Sequence, residues 1–262
     1  MTDVRNAVFR TDGAAFIPGD AAVGPWSADA LQGSATAALA VRILEADAST
    51  QGRQISRLSF DFWRPANRSP IEVQISTVRD GSKARTVAID FEQQGKPVMR
   101  CSALLLRTGL TPELPGFEEE ARFEPPEQGA EVPPAALRMS PFFAGVGVRM
   151  ARGQILEPGP AAAWMKLERP LVDDEAPSPL AQAASASDLV AGISQWVHPS
   201  KLGFVNADLT INLRRPPAGD WMLLDARTLP GPNGSGYATG ALHDRSGPFG
   251  QCSSSLLFEV RG

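Results

Sequence analysis

The 262-residue chain is poor in the side chains that most often do chemistry. It has two cysteines, Cys101 and Cys252, two histidines, His198 and His243, and a single tyrosine. Two distant cysteines with no CxxC pair exclude a disulfide framework and fit a reducing cytoplasm. Neither histidine has a partner at zinc-ligand spacing, so each reads as an isolated surface or turn residue. A Ser-His-Asp triad would have to use one of them, and no GxSxG turn is present to carry its serine. Strongly basic runs are absent and the formal charge is −4, which argues against binding to nucleic-acid phosphates. The longest apolar runs, such as "SATAALAVRIL", are too short to cross a bilayer, so no membrane insertion is expected. The first residues, "MTDVRNAVFRTDGAAF", do not read as a signal peptide. The Gly-rich "PGPNGSG" lacks the lysine and following helix of a phosphate-binding loop and reads as a hairpin connection.

What is present is a chain with 43% hydrophobic residues, enough for a substantial core in one large or two medium domains. Leu31, Ala35, Leu39, Ile43 and Leu44 recur at helical spacing, which predicts a helix over 29–46. Its small residues, Gly33, Ser34, Ala35, Ala37 and Ala38, allow close approach to another backbone. Four period-2 runs follow, "RQISRLSFDFWR", "PIEVQISTVRD", "ARTVAIDFEQ" and "PVMRCSALLLR", separated by Gly/Pro/Asp-rich turns. Residues 109–137 are rich in Pro, Gly and Glu and read as a linker. The pattern then restarts. Two short strands, a helix over 179–197 and four further strands are expected, and "NAVFRTD" and "AAFIPGD" would match the first two of that second set.

The halves share punctuation as well as order. Arg64-Pro65 and Arg215-Pro216 each end a strand-like run, and the prolines are 151 residues apart (216 − 65). Proline cannot donate to a ladder, so it belongs at such ends. A turn glycine follows 30 residues after Pro65 (Gly95) and 31 after Pro216 (Gly247), and each is followed at +9 and +10 by a Leu-Leu pair. Internal duplication is the economical reading. The expected fold class is α+β: a double hot-dog, two helices each wrapped by a curled antiparallel sheet, with the sheets able to join edge to edge. The halves would be 1–108 and 138–262.

The segments "GPWSADALQGSATAALAVRI", "LSFDFWRPANRSPIEVQIS", "ASDLVAGISQW" and "FVNADLTINLRRPPAGDWMLLDART" resemble, in order, the thioesterase-like superfamily related to acyl-CoA thioesterase II. That resemblance implies a tandem hot-dog fold and hydrolysis of fatty acyl-CoA by a water, with CoA part of the substrate and no separate cofactor. It also implies a site built from an Asp on the second helix, a polar residue on the next strand and a Gln on the last strand. Position by position these fall on Asp188, on Asn206 (with Asp208 as a competitor) and on Ser254-Ser255. The expected Gln is replaced by Ser254, and Gln251 would face the other side of its strand. Where relatives often read His-Gly-Gly at the first helix start, this chain has Gln32-Gly33-Ser34. Basic residues such as Lys201, Arg214 or Arg215 are expected near the CoA phosphates, and a homo-oligomer, such as a homodimer, is expected by analogy.

Each candidate also has a plainer reading. Asp188 in "SASD" would cap its own helix, Asn206 would be a turn residue, the three serines a polar edge, and the five tryptophans core or interface. The replaced Gln favours a second hypothesis, a fold that binds acyl-CoA or another apolar ligand without turnover. A hot-dog dehydratase ranks last, because His198 follows the helix instead of lying within it.

Overall fold

A computed structural model describes residues 6–110, 123–198 and 202–260. The N-terminal hairpin pairs β1 (Phe9–Asp12) with β2 (Ala15–Pro18). Helix α1 (Gly33–Ala46) follows, then β3 (Arg53–Phe62), β4 (Glu72–Asp80), β5 (Ala84–Gln93) and β6 (Lys96–Arg107). Next come β7 (Ala130–Glu131), α2 (Pro134–Leu137), β8 (Val146–Arg152) and β9 (Ala161–Leu167). Helices α3 (Pro179–Ser187) and α4 (Val190–Ile193) precede β10 (Leu202–Asn206), β11 (Asp208–Leu213), β12 (Met222–Pro230), β13 (Ser235–Asp244) and β14 (Gly247–Val260).

Twelve of these strands form one antiparallel sheet in the order β4-β5-β6-β3-β11-β14-β13-β12-β9-β8-β7, with β10 also pairing β14. The two sets of strands join edge to edge, as the sequence allowed, where β3 pairs β11, but they form one continuous sheet that is not curled, which corrects the expectation of a curled sheet around each helix. The order on either side of the joint is mirrored. One side reads β3-β6-β5-β4, and Ile71, just before β4, exchanges both backbone hydrogen bonds with Phe16 of β2. The other side reads β11-β14-β13-β12-β9-β8. At the joint Ser59 is the direct partner of Thr210. These residues are also 151 apart (210 − 59), the spacing of the two prolines. The repeat spacing read from the sequence is therefore also the spacing of a residue pair at the joint.

The strands of the first half sit where period-2 alternation predicts; in β3 and β5 the inward residues (Leu58 and Phe60; Val87, Ile89 and Phe91) are buried, whereas β4, at the sheet edge, is exposed along almost its whole length. Three elements differ from expectation. Helix α1 begins at Gly33, because Leu31 is held by a bridge to Val23 and is not helical. The second helix is broken: Asp188 and Leu189 separate α3 from α4. Within 109–137, residues 111–122 lie outside the described set, whereas β7 adds an edge strand to β8.

The two long helices pack on one another. Both are rich in buried small residues, Ala35, Ala37, Ala38 and Ala40 on α1 and Ala181, Ala183, Ala184 and Ala186 on α3. Small side chains on both let the backbones approach closely, as the composition of α1 suggested. The helices run antiparallel. The C-terminal turn of α1 meets the start of α3, where Ser178 Oγ donates to Glu45 at 2.5 Å. The start of α1 meets the end of α3 at Asp188.

Candidate active site

Asp188 follows the last residue of α3 and is 4% exposed. Its backbone is still helical (φ −65°, ψ −18°), so it ends α3 and does not N-cap it. The carboxylate instead reaches across to the start of the other helix. Gln32, the residue before α1, offers no side-chain cap of its own, and the first N–H groups of a helix carry partial positive charge. Asp188 supplies the missing acceptor. Its Oδ2 accepts from Ser34 Oγ at 2.9 Å and from Gln32 Nε2 at 3.2 Å. Gly33 lies against the carboxylate so closely that a Cβ there would be 2.9 Å from both Oδ atoms.

The third side chain comes from the sheet. Asn206 Nδ2 donates to Asp188 Oδ1 at 3.1 Å and to the Asp188 carbonyl at 3.0 Å. A bulge aims it there. β10 pairs Asn206 with Leu256 of β14, while β11 pairs Thr210 with Ser253, so the register shifts by one between them. Burial changes parity across the same point: Phe204 packs on the core from β10, but Leu209, Ile211 and Leu213 do so from β11. Asn206 therefore faces inward while Asp208 does not, so the competitor that the sequence offered does not reach Asp188. Asp208 Oδ1 instead accepts from the Ser255 backbone N–H.

Burial pushes the Asp188 carboxyl above its ordinary range, opposed by the hydrogen bonds from Asn206, Ser34 and Gln32. All three side-chain donors are neutral. A carboxylate that has lost bulk water but keeps a proton affinity above normal is suited to act as a base. Two acceptors beside it, Gln32 Oε1 and Asn206 Oδ1, are buried with no hydrogen-bond partner among the described residues.

The other expected positions are engaged elsewhere. Ser254 is buried and its Oγ donates to the Asp208 carbonyl at 2.7 Å. Ser255 lies on the exposed face, as does Gln251, whose orientation opposite to Ser254 matches the parity argument. The inward residue of β14 beneath Asp188 is Cys252, 4.0 Å from the Ser187 carbonyl. Burial first, then the nearby Asp188 charge, push this thiol up to about 12, so it stays protonated and is no nucleophile at neutral pH. Arg215 pairs with the buried Asp244 and the Gly247 carbonyl and is thereby a structural cation. Lys201 lies outside the described residues. Of the tryptophans, Trp164 is core, Trp63 lies under Arg100, and Trp26 meets Phe204 edge-on.

Sequence reasoning did not assign Gln32, Gly33 and Ser34 to the site. Their signal was a polar pair flanking a glycine at the start of an otherwise apolar helix. No group of His, Cys, Asp and Glu among the described residues has metal-binding geometry. Two surface clefts, of about 310 and 370 Å³, lie away from Asp188, at residues 153–161 and around Arg152, Asp225 and Gln251.

Comparison with known families decides the relationship. The acyl-CoA thioesterase C-terminal domain family matches residues 118–258, and the corresponding N-terminal domain family matches residues 22–106. The chain belongs to the acyl-CoA thioesterase family. Solved structures with the same fold include a conserved hot-dog protein from Alicyclobacillus acidocaldarius (TM-score 0.74, 16% identity, 100% of both chains). A thioesterase II candidate from Thermobifida fusca matches at TM-score 0.73 and 19% identity over 99% of this chain and 98% of that one. An acyl-CoA thioesterase II from Mycobacterium marinum matches at 0.67 and 16% identity over 99% of both. No curated protein sequence matches. No helix among the described residues of this thioesterase-family chain is long and apolar enough to cross a membrane.

Proposed function

We propose that this thioesterase-family chain is a double hot-dog hydrolase of acyl-CoA thioesters, working in the cytoplasm as a homo-oligomer. The mirrored strand order about the Ser59–Thr210 pair supports the double fold. The observation that carries the chemistry is the buried Asp188 carboxylate, held by Gln32, Ser34 and Asn206 from both halves. Asp188 takes a proton from a water as the water oxygen bonds to the thioester carbonyl carbon. Collapse of the tetrahedral intermediate breaks the C–S bond, and Asp188 returns the proton to the leaving thiolate, giving a carboxylic acid and free CoA. N–H donors not engaged by Asp188 stabilise the developing oxyanion. No covalent intermediate is needed, which agrees with a thiol at Cys252 too basic to attack.

A second reading, binding of acyl-CoA without turnover, draws on Ser254, whose hydroxyl is engaged by the Asp208 carbonyl where relatives carry a glutamine. Thiol release followed across acyl-CoA chain lengths separates the two. Release above the uncatalysed rate at some chain length supports the hydrolase. A ligand-induced rise in melting temperature with no release at any length supports the binder and overturns the hydrolase.

A further inference from the structure

The family resemblance implies a glutamine amide on the last strand, and this chain has Ser254 there, its hydroxyl engaged by the Asp208 carbonyl. An amide reaches Asp188 all the same, from the opposite half of the molecule. Gln32 is 7% exposed, its backbone N–H is fixed on the Ala22 carbonyl at 2.8 Å, and its Nε2 donates to Asp188 Oδ2. The other end of the amide, Oε1, is buried without a partner among the described residues. Gly24 backs this oxygen: a Cβ on residue 24 would sit only 3.0 Å from it. A buried acceptor left unsatisfied costs roughly 1–3 kcal/mol, so its persistence beside a base calls for a donor. Asn206 Oδ1 is a second acceptor of the same kind on the far side of the carboxylate.

We propose that Gln32 positions the attacking water beside Asp188. Building on the hydrolase reading, its Oε1 accepts one O–H of the attacking water while Asp188 accepts the other, and its Nε2 holds the carboxylate in register. Both hydrogens of the water are then fixed, and its lone pair points at the thioester carbon. The Gln32-Gly33-Ser34 helix start becomes part of the catalytic set, with Gly33 leaving room for the carboxylate.

The test compares kcat, KM, melting temperature and the pH profile of kcat/KM for wild type and Gln32→Met, which keeps volume but removes both amide functions. The expected result is a kcat loss of about 10²-fold, the scale of losing one positioned polar group at a reacting centre, with KM within about threefold. The hydrogen bond from Gln32 lowers the Asp188 pKa, so its removal moves the acidic limb to higher pH. Wild-type turnover with Gln32→Met at the wild-type rate, or with an unmoved acidic limb, overturns the assignment and leaves the hydrolase reading standing. No turnover by the wild type overturns both. Should Gln32→Met fail to fold, Gln32→Glu decides. Two carboxylates in contact cannot both ionise readily, so the acidic limb must move up; a limb that stays in place refutes the contact.

Discussion

Replacing Gly33 by alanine sets two effects of opposite sign against each other. Gly33 is the first residue of α1 and does not use a left-handed backbone, so alanine is conformationally allowed there. On backbone entropy alone the change stabilises by about 0.4–1 kcal/mol. The new Cβ, however, would lie 2.9 Å from both Asp188 oxygens and 3.1 Å from its Cγ. The carboxylate must retreat from the helix start, weakening the bonds from Ser34 at 2.9 Å and Gln32 at 3.2 Å. Hydrogen bonds to a charged group contribute about 1.5–3 kcal/mol each. The net effect is a destabilisation of roughly 1–3 kcal/mol, or about 2–10 °C in melting temperature for a chain of this size. Displacing the base by a fraction of an ångström to 1 Å costs up to about 10²-fold in kcat. In an Asp188→Ala background the clash is gone and the sign reverses, so Gly33→Ala stabilises. Thermal unfolding of the four proteins of this cycle, with thiol-release kinetics, measures both effects. Equal stabilisation in the two backgrounds, with kcat unchanged, would refute the close packing of Asp188 on α1.

Two further outcomes follow from the charged groups at the helix ends and turns. Burial, opposed by the Ser178 hydroxyl and reinforced by Glu175, holds the Glu45 carboxyl above 4.5. A raised acid contributes stability that is full below its unfolded pKa and is lost as pH rises through its folded one, so Glu45→Gln flattens the decline of stability with pH above about 4.5, as urea titrations at several pH values will register. For Asp244, burial alone would raise the carboxyl, but Arg215 and the N–H groups of Ala218 and Ser246 hold it below the usual range. Arg215→Met strands this buried charge and should destabilise by about 3–5 kcal/mol at neutral pH. The penalty shrinks as pH falls and Asp244 gains a proton, and denaturant midpoints at pH 7 and pH 4 check it.

The sequence carried the features with a local physical cause. Alternation of inward and outward residues marked the strands from β3 to β6, and the Arg-Pro steps marked strand ends because proline has no N–H to donate. The 151-residue spacing pointed to the joint of the sheet without locating it, since strand pairing across the molecule leaves no local pattern. The break at Asp188 was hidden because "SASDLVAG" has no proline and its small residues suit a continuous helix; what turns the chain is the long-range grip of Gln32, Ser34 and Asn206. The bulge at Ala207 was equally silent, as nothing in "FVNADLTINL" demands one. It matters most for the site, because it sends Asn206 inward and Asp208 outward. Asp188 and Asn206 were singled out as candidates through family resemblance, and the structure brings them into contact. Gln32 and Ser34 stood in the sequence only as a departure from the family pattern, 156 and 154 residues from the carboxylate they hold.

The most direct test of the account is the turnover of Asp188→Asn on the best acyl-CoA substrate. Asparagine keeps the volume, and Gln32 and Ser34 can turn to satisfy it, so the fold should survive, but the base is gone. The account predicts a kcat at least about 10³-fold below wild type, within the range for loss of a general base, with a melting temperature within a few degrees. Turnover within tenfold of wild type by a folded Asp188→Asn would contradict it.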